Sequence, residues 1–149
     1  MLAVHPGAMS GPAKVMDAND ASATNRNSSS GLYLAWKGKR NVPNKPSVQL
    51  SGDLLFMVDD AGVAGCVESA TGVEVWRERI GGNYSASPIL AEGRIYFSSE
   101  EGKVVVIEAS REFKKLAENQ LGDGFMSSPA VSGKALFLRS KTQLLRIED

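Results

Sequence analysis

The stretch Cys66-Val67-Glu68-Ser69-Ala70-Thr71-Gly72-Val73-Glu74-Val75-Trp76 decides the fold. It reads as strand, tight turn, strand, with the turn at Ala70-Thr71-Gly72 and an aromatic residue ending the second strand. Gly72 suits a position with positive φ, which a short hairpin demands, and the Thr71 hydroxyl can hold local backbone groups. Glu68 is an acceptor placed to brace the turn.

Pieces of this stretch recur at a spacing of about 40 residues. Three segments superimpose: Ser47-Val48-Gln49-Leu50-Ser51-Gly52, Ser87-Pro88-Ile89-Leu90-Ala91-Glu92 and Ser128-Pro129-Ala130-Val131-Ser132-Gly133. Each leads into a second strand, over 54–58, 94–98 and 135–139, with Phe56, Tyr96 and Phe137 in register. A polar turn follows (Asp59-Asp60-Ala61-Gly62, Glu100-Glu101-Gly102, Ser140-Lys141-Thr142), then a third strand closing on an acid: Glu68, Glu108 or Glu148. Trp36 and Trp76 end fourth strands, with Leu116 in the same place in the next copy.

Four short strands per repeat, with turn signals between them, is the pattern of a propeller blade. Solenoid repeats supply helices or one strand per turn and do not fit. The segment Arg111–Ala117 is the one place where a helix competes, and its register with Val75-Trp76 favours a strand. The fold class read from the sequence is therefore all-β, a partial β-propeller of four-stranded antiparallel blades. The blade pieces are 1–36, 47–80, 87–119 and 127–149, two of them full and two incomplete, with a flexible polar insertion over 6–31. Rings close with roughly four to eight blades. The expectation is thus the C-terminal part of a larger ring, or a fragment that must pair, with an exposed apolar blade face as an association hazard.

Composition excludes several function classes. Seventeen basic and seventeen acidic residues cancel, so net charge gives neither a nucleic-acid nor a membrane-surface footprint. One cysteine, Cys66, rules out an internal disulfide and a multi-cysteine metal site, and one histidine, His5, rules out clustered imidazole ligands. No apolar run approaches the roughly 18 residues of a membrane span, and the first residues lack the basic and apolar regions of a signal peptide. Asn27-Ser28-Ser29 and Asn83-Tyr84-Ser85 fit the short glycosylation sequon.

The opening stretch resembles the repeat of the PQQ-like, or quinoprotein alcohol dehydrogenase-like, β-propellers, whose motif runs Ala-x-Asp-x-x-Thr-Gly-x-x-x-Trp. Thr71, Gly72 and Trp76 match it, Cys66 stands for the small residue and Glu68 for the acid. The resemblance covers about residues 32–149 and extends to non-catalytic members such as the scaffold lipoprotein of the outer-membrane β-barrel assembly machinery. It implies tryptophan packing between blades, for which only Trp36 and Trp76 are available, and full-length relatives that are periplasmic or secreted. The second copy departs from it: Arg111-Glu112-Phe113-Lys114-Lys115-Leu116 replaces Thr-Gly-x-x-x-Trp, so its hairpin turn and outer aromatic are expected to be lost. The adjacent cysteine pair that the family's dehydrogenases set against their cofactor is missing.

Paired acids at Asp59-Asp60 and Glu100-Glu101 could hold a hard cation, but they sit in equivalent turns where solvated acids are routine. Lys37, Lys39 and Arg40 cluster at a connection between blades and suit a solvated loop or an anion or partner contact. Arg77-Glu78-Arg79 alternates sign on an outer strand and needs no ligand, and Cys66 suits a buried small position better than a nucleophile. The connections carry Asn83-Tyr84 and Asp123-Gly124-Phe125, read as exposed aromatics beside mixed charge. The expected binding surface is thus Lys39, Arg40, Asp60, Asn83, Tyr84, Glu101, Asp123 and Phe125.

The functional expectation is a non-catalytic binding or scaffold module, without cofactor or metal, that presents these loops to a protein or small ligand or to missing blades. The alternative is part of a PQQ-dependent quinoprotein oxidoreductase holding quinone and calcium.

Overall fold

The computed structural model describes residues 2–4 and 34–148. His5, the 6–31 insertion and the Asn27 sequon lie outside the described residues. Thirteen strands and no helix are present among the described residues. In particular, none of them forms a helix long and apolar enough to cross a membrane.

The strands form four antiparallel sheets in chain order. Sheet I pairs β1 (Leu2–Val4) with β2 (Leu34–Lys37). Sheet II is the meander β3 (Gln49–Ser51), β4 (Leu54–Val58), β5 (Val63–Glu68) and β6 (Glu74–Arg79). Sheet III repeats it with β7 (Ile89–Ala91), β8 (Arg94–Ser98), β9 (Lys103–Glu108) and β10 (Lys115–Gln120). Sheet IV has β11 (Ala130–Ser132), β12 (Ala135–Arg139) and β13 (Leu144–Ile147). The segment 115–120 is a strand, and Glu68 and Glu108 end the third strands of their sheets while Glu148 follows the third.

Each meander is set by alternation. In β4 and β5, Leu54, Phe56, Val58, Ala64 and Cys66 fall on one face by their cross-strand pairing and are buried against sheet III. They meet Ile95, Phe97, Val105 and Ile107 there. On the other side of sheet III, Val104 and Val106 join Phe125 and Leu138 in a second core against sheet IV, with Tyr96 and Leu136 packed on it. Fully burying each large side chain of this kind contributes about 1.5–3 kcal/mol. The pairings Ser51↔Leu54, Ala91↔Arg94 and Ser132↔Ala135 put Phe56, Tyr96 and Phe137 at the same place in their sheets.

The hairpin of the opening stretch closes with the Glu68 amide donating to Val73 at 2.9 Å and the Gly72 amide to Glu68 at 2.8 Å. Gly72 takes φ +72°, and a Cβ there would sit 2.5 Å from Trp36 Cδ2. Only glycine satisfies both the backbone and the indole resting on it. The corresponding hairpin of sheet III is not lost, which corrects the sequence expectation. It widens by one residue, closing from the Glu108 amide to Lys114 at 3.0 Å. Its aromatic is recovered from within the turn: Phe113 meets Trp76 edge-on, with ring centroids 5.1 Å apart. The extra residue lets a side chain face the tryptophan where sheet II offers bare backbone.

Candidate functional site

The turns between second and third strands and the connections between sheets gather at one end of the molecule. There the chain interleaves. The Tyr84 amide donates to the Asp60 carbonyl at 3.1 Å and the Glu100 amide to the Asn83 carbonyl at 2.8 Å. The connection at 83–84 is thus held between turns of two successive sheets. The next connection repeats this, with the Phe125 amide on Ser99 at 2.9 Å and the Lys141 amide on Gly124 at 3.1 Å.

The acids of these turns are spent on the same task. Asp60 Oδ1 accepts the Asn44 amide at 3.0 Å and the Lys45 amide at 3.3 Å. The Asn44 amide above all holds the Asp60 carboxyl below its ordinary pKa. Asp59 Oδ1 accepts the amides of Ala61 and Val63 at 3.0 and 2.8 Å, a role that the Ser99 hydroxyl takes in the next sheet. Both carboxylate oxygens of Glu101 accept the Asn83 amide at 3.1 Å, and Oε1 accepts Asn83 Nδ2 at 2.7 Å. Desolvation pushes the Glu101 pKa up, but the Asn83 contacts lead a set of hydrogen bonds that outweighs it and leave the carboxyl below its usual range. Asp123 is likewise lowered, first by the Ser140 hydroxyl and then by Thr142. Glu100 accepts from the Ser85 hydroxyl and from Lys45 Nζ, the latter at 3.4 Å.

Of the expected binding surface, Asp60, Asn83, Glu101 and Asp123 therefore come together in this layer as clips. Tyr84 and Phe125 correct the sequence reading: both are fully buried. Their connections dip between two sheets, so each ring lies in an inter-sheet core, Tyr84 between sheets II and III and Phe125 between III and IV. An aromatic beside polar residues in a connection is exposed only where the loop stays outside the sheets, and here it does not. The signal that separates the cases is spacing, since Tyr84 and Phe125 recur with the same offset as the buried Pro88 and Pro129. The exposed apolar residue of this layer is Met126, 61% accessible.

Sequence reasoning also missed a serine joint. The Ser47 amide donates to the Ser87 hydroxyl oxygen at 2.9 Å, and the Ser87 amide donates to that of Ser128 at 3.0 Å. The serines were visible as repeat positions; their hydroxyls linking sheet to sheet were not. At the opposite end, Glu68 accepts from the Thr71 hydroxyl at 3.1 Å and from Arg111 of sheet III at 3.1 Å, while Arg111 also pairs with Asp53 at 2.5 Å. Trp36 and Trp76 each hydrogen-bond into the following sheet, at the Ser69 and Ser110 carbonyls.

Lys39 and Arg40 lie elsewhere, on the connection 37–42 that rims a cleft of about 480 Å³ between sheets I and II. Trp36, Met57, Val63, Gly65 and Val67 line it, with Glu74 and Arg77. Arg77 is not merely a strand-face charge: it pairs with Glu74, and its Nη1 donates to Asn41 Oδ1 at 3.0 Å.

The carboxylates of this layer are drawn into its own backbone. Asp59 and Asp60 each accept backbone amides on Oδ1, and Glu101 accepts the Asn83 amide on both oxygens.

Comparisons with known proteins agree with the architecture. BamB from Moraxella catarrhalis is similar in fold, with TM-score 0.56, 17% identity and 82% of this chain covered. The computationally designed Ika8 protein superimposes with TM-score 0.58 at 10% identity over 68% of the chain. A europium-containing methanol dehydrogenase does so with TM-score 0.51 at 12% identity over 61%. At these identities the likeness concerns fold alone. The chain spans 34%, 32% and 19% of those three proteins respectively. A search of curated protein sequences finds no match. The family model described as outer membrane protein assembly factor BamB matches residues 22–114 and again 45–149. Two overlapping matches, a four-stranded repeat and a shared propeller fold place this chain in the BamB family of PQQ-like β-propellers.

Proposed function

We propose that this chain is a non-catalytic scaffold that docks a protein partner through its connection layer, in the assembly of outer membrane proteins, and that it uses no cofactor. The observation that carries the reading is the commitment of the turn acids. Asp59, Asp60 and Glu101 spend their carboxylates on backbone amides of the layer itself. Such a layer is rigid and presents shape and side chains, which is what a docking surface needs. Met126 is its exposed apolar anchor. Family membership supports the partner class, and the work of the relatives points to the outer membrane as the place. The likeness to methanol dehydrogenase rests on 12% identity and adds nothing to the oxidoreductase alternative.

The test places a photo-crosslinking amino acid at position 126 of the chain in its producing cell. A discrete adduct with an outer-membrane assembly protein is the expected result. Absence of any adduct overturns the docking surface. Dye reduction by the purified chain with pyrroloquinoline quinone and calcium overturns the non-catalytic reading.

A further inference from the structure

Sheets II, III and IV stack in a repeating way. The face of sheet II that carries Phe56 packs on the face of sheet III that carries Ile95, Phe97, Val105 and Ile107. The other face of sheet III, which carries Tyr96, packs in turn on Leu136, Leu138 and Leu145 of sheet IV. The covered cross-strand pairs are Phe56↔Cys66 and Val58↔Ala64 in sheet II, and Tyr96↔Val106 and Ser98↔Val104 in sheet III. All of these residues except Tyr96 are buried.

The matching face of sheet IV, turned away from sheet III, is of another kind. Its pairs are Phe137↔Arg146 and Arg139↔Leu144. One arginine thus stands at the place of Cys66 and Val106, and a second at the place of Val58 and Ser98. Residue type at matched positions, rather than exposure, sets this face apart. A sheet of the kind found in this chain would lay an apolar wall over two guanidinium groups, and burying a charge without a partner is costly. Ser98 shows how little that place offers a polar group: its hydroxyl is buried without a hydrogen-bond partner. An arginine would bring five donors to the same place.

The two cations alternate with two apolar side chains. Phe137 and Arg139 follow one another on this face along β12, Leu144 and Arg146 along β13, and each arginine lies opposite an apolar residue. Phe137 is half-buried and Leu144 is 72% accessible. Arg146 pairs with Glu148 at 2.7 Å, an exposed contact that contributes little. The Arg139 guanidinium makes no hydrogen bond or ion pair among the described residues.

We infer that this face of sheet IV binds an extended segment of a partner protein whose facing side alternates carboxylates with large apolar residues. The carboxylates meet Arg139 and Arg146, and the apolar side chains meet Phe137 and Leu144. Charge complementarity selects this occupant over a second copy of the chain, because the faces that sheets III and IV turn toward the preceding sheet are apolar and would leave the arginines unpaired. The inference rests on the reading of the chain as a protein-binding scaffold and adds a second contact to that of Met126.

The experiment is fluorescence anisotropy of the labelled peptide Glu-Thr-Leu-Thr-Glu-Thr-Leu-Thr with the full chain. As a strand, this peptide presents its glutamates and leucines on one face. Saturable binding that weakens as salt is raised is expected, with about tenfold or greater loss in Arg139→Glu/Arg146→Glu and in Leu144→Asp. Circular dichroism and thermal unfolding establish that both variants fold; if one does not, the other decides. Arg139→Val/Arg146→Val gives the face the residue types of sheets II and III, so it should lose the peptide and self-associate more than wild type in sedimentation. No binding, binding unchanged by charge reversal, or equal binding of a peptide with lysine for glutamate overturns the inference. So does displacement of the peptide only by anionic phospholipid vesicles or single-stranded DNA. Self-association of wild type that Leu144→Asp abolishes would put a second copy on this face and overturn it as well. The crosslink from position 126 is read without the peptide, so failure of the peptide leaves the scaffold reading separately readable.

Discussion

The indole N–H of Trp36 donates to the Ser69 carbonyl at 2.8 Å, across the gap between sheets I and II. Trp76 makes the same bond one sheet later, to Ser110 at 3.2 Å. A buried tryptophan needs a partner for its one donor, and a hairpin carbonyl of the neighbouring sheet supplies it. The bond also lays the Trp36 ring on Gly72.

Gly72→Ala should therefore lose about 2–4 kcal/mol, from a left-handed φ and a clash with Trp36. Gly52→Ala is the matched comparison: φ is +59° there, with nothing within 4 Å of the added Cβ. It should lose only about 1 kcal/mol. Urea unfolding of both variants reads the difference, and equal losses would show that the indole contact contributes nothing.

The Tyr84 hydroxyl is buried without a hydrogen-bond partner, and burial holds its pKa well above the ordinary phenol value. Phe125, at the same place in the next connection, manages without a hydroxyl. Tyr84→Phe should be neutral or stabilising by up to about 1 kcal/mol, because an unpaired polar atom is removed. Tyr84→Ala should cost about 3–5 kcal/mol through the cavity. A clear loss in the phenylalanine variant would mean that the hydroxyl is hydrogen-bonded in solution.

Glu92 holds φ 49° in the two-residue loop that joins β7 to β8, where the equivalent loops have Gly52 at φ 59° and Gly133 at φ 60°. Exchange for asparagine, which tolerates this region, should raise stability by about 0.5–1 kcal/mol. A thermal melt that does not rise refutes the strain at this position.

The repeat made most of the architecture legible. Third-strand acids at Glu68, Glu108 and Glu148 and the tryptophans at 36 and 76 located strands and hairpins because a meander places its residues by alternation and turn chemistry alone. Tyr84, Phe125 and Phe113 escaped for one reason. Whether a loop residue is exposed depends on which two sheets its loop dips between, and a change in loop length by one residue reverses it.

The pH dependence follows from the clips. The Asp60 carboxyl is lowered in the folded chain, first by the Asn44 amide, and returns to its ordinary value on unfolding. A depressed acid stabilises the fold above its unfolded pKa and loses that contribution as pH falls through the folded one. The melting temperature should thus fall below about pH 4, and Asp60→Asn should flatten that fall. Parallel curves for wild type and variant would exclude Asp60 as a contributor.

Cys66 is fully buried, and burial first of all pushes its thiol up to about 11. It should resist a thiol-reactive dye at pH 8 in the native chain and react at once in urea, since only the thiolate attacks. Rapid labelling of the folded protein would contradict the packing of sheet II on sheet III.

The serine joint bears on how such a chain grows. A backbone amide of one unit meets a hydroxyl of the next, first at Ser47 and Ser87, then at Ser87 and Ser128. Each unit carries both halves of the connector, so duplicating a stretch of gene duplicates a working joint along with it. Copy number can then change without any compensating substitution at the seam.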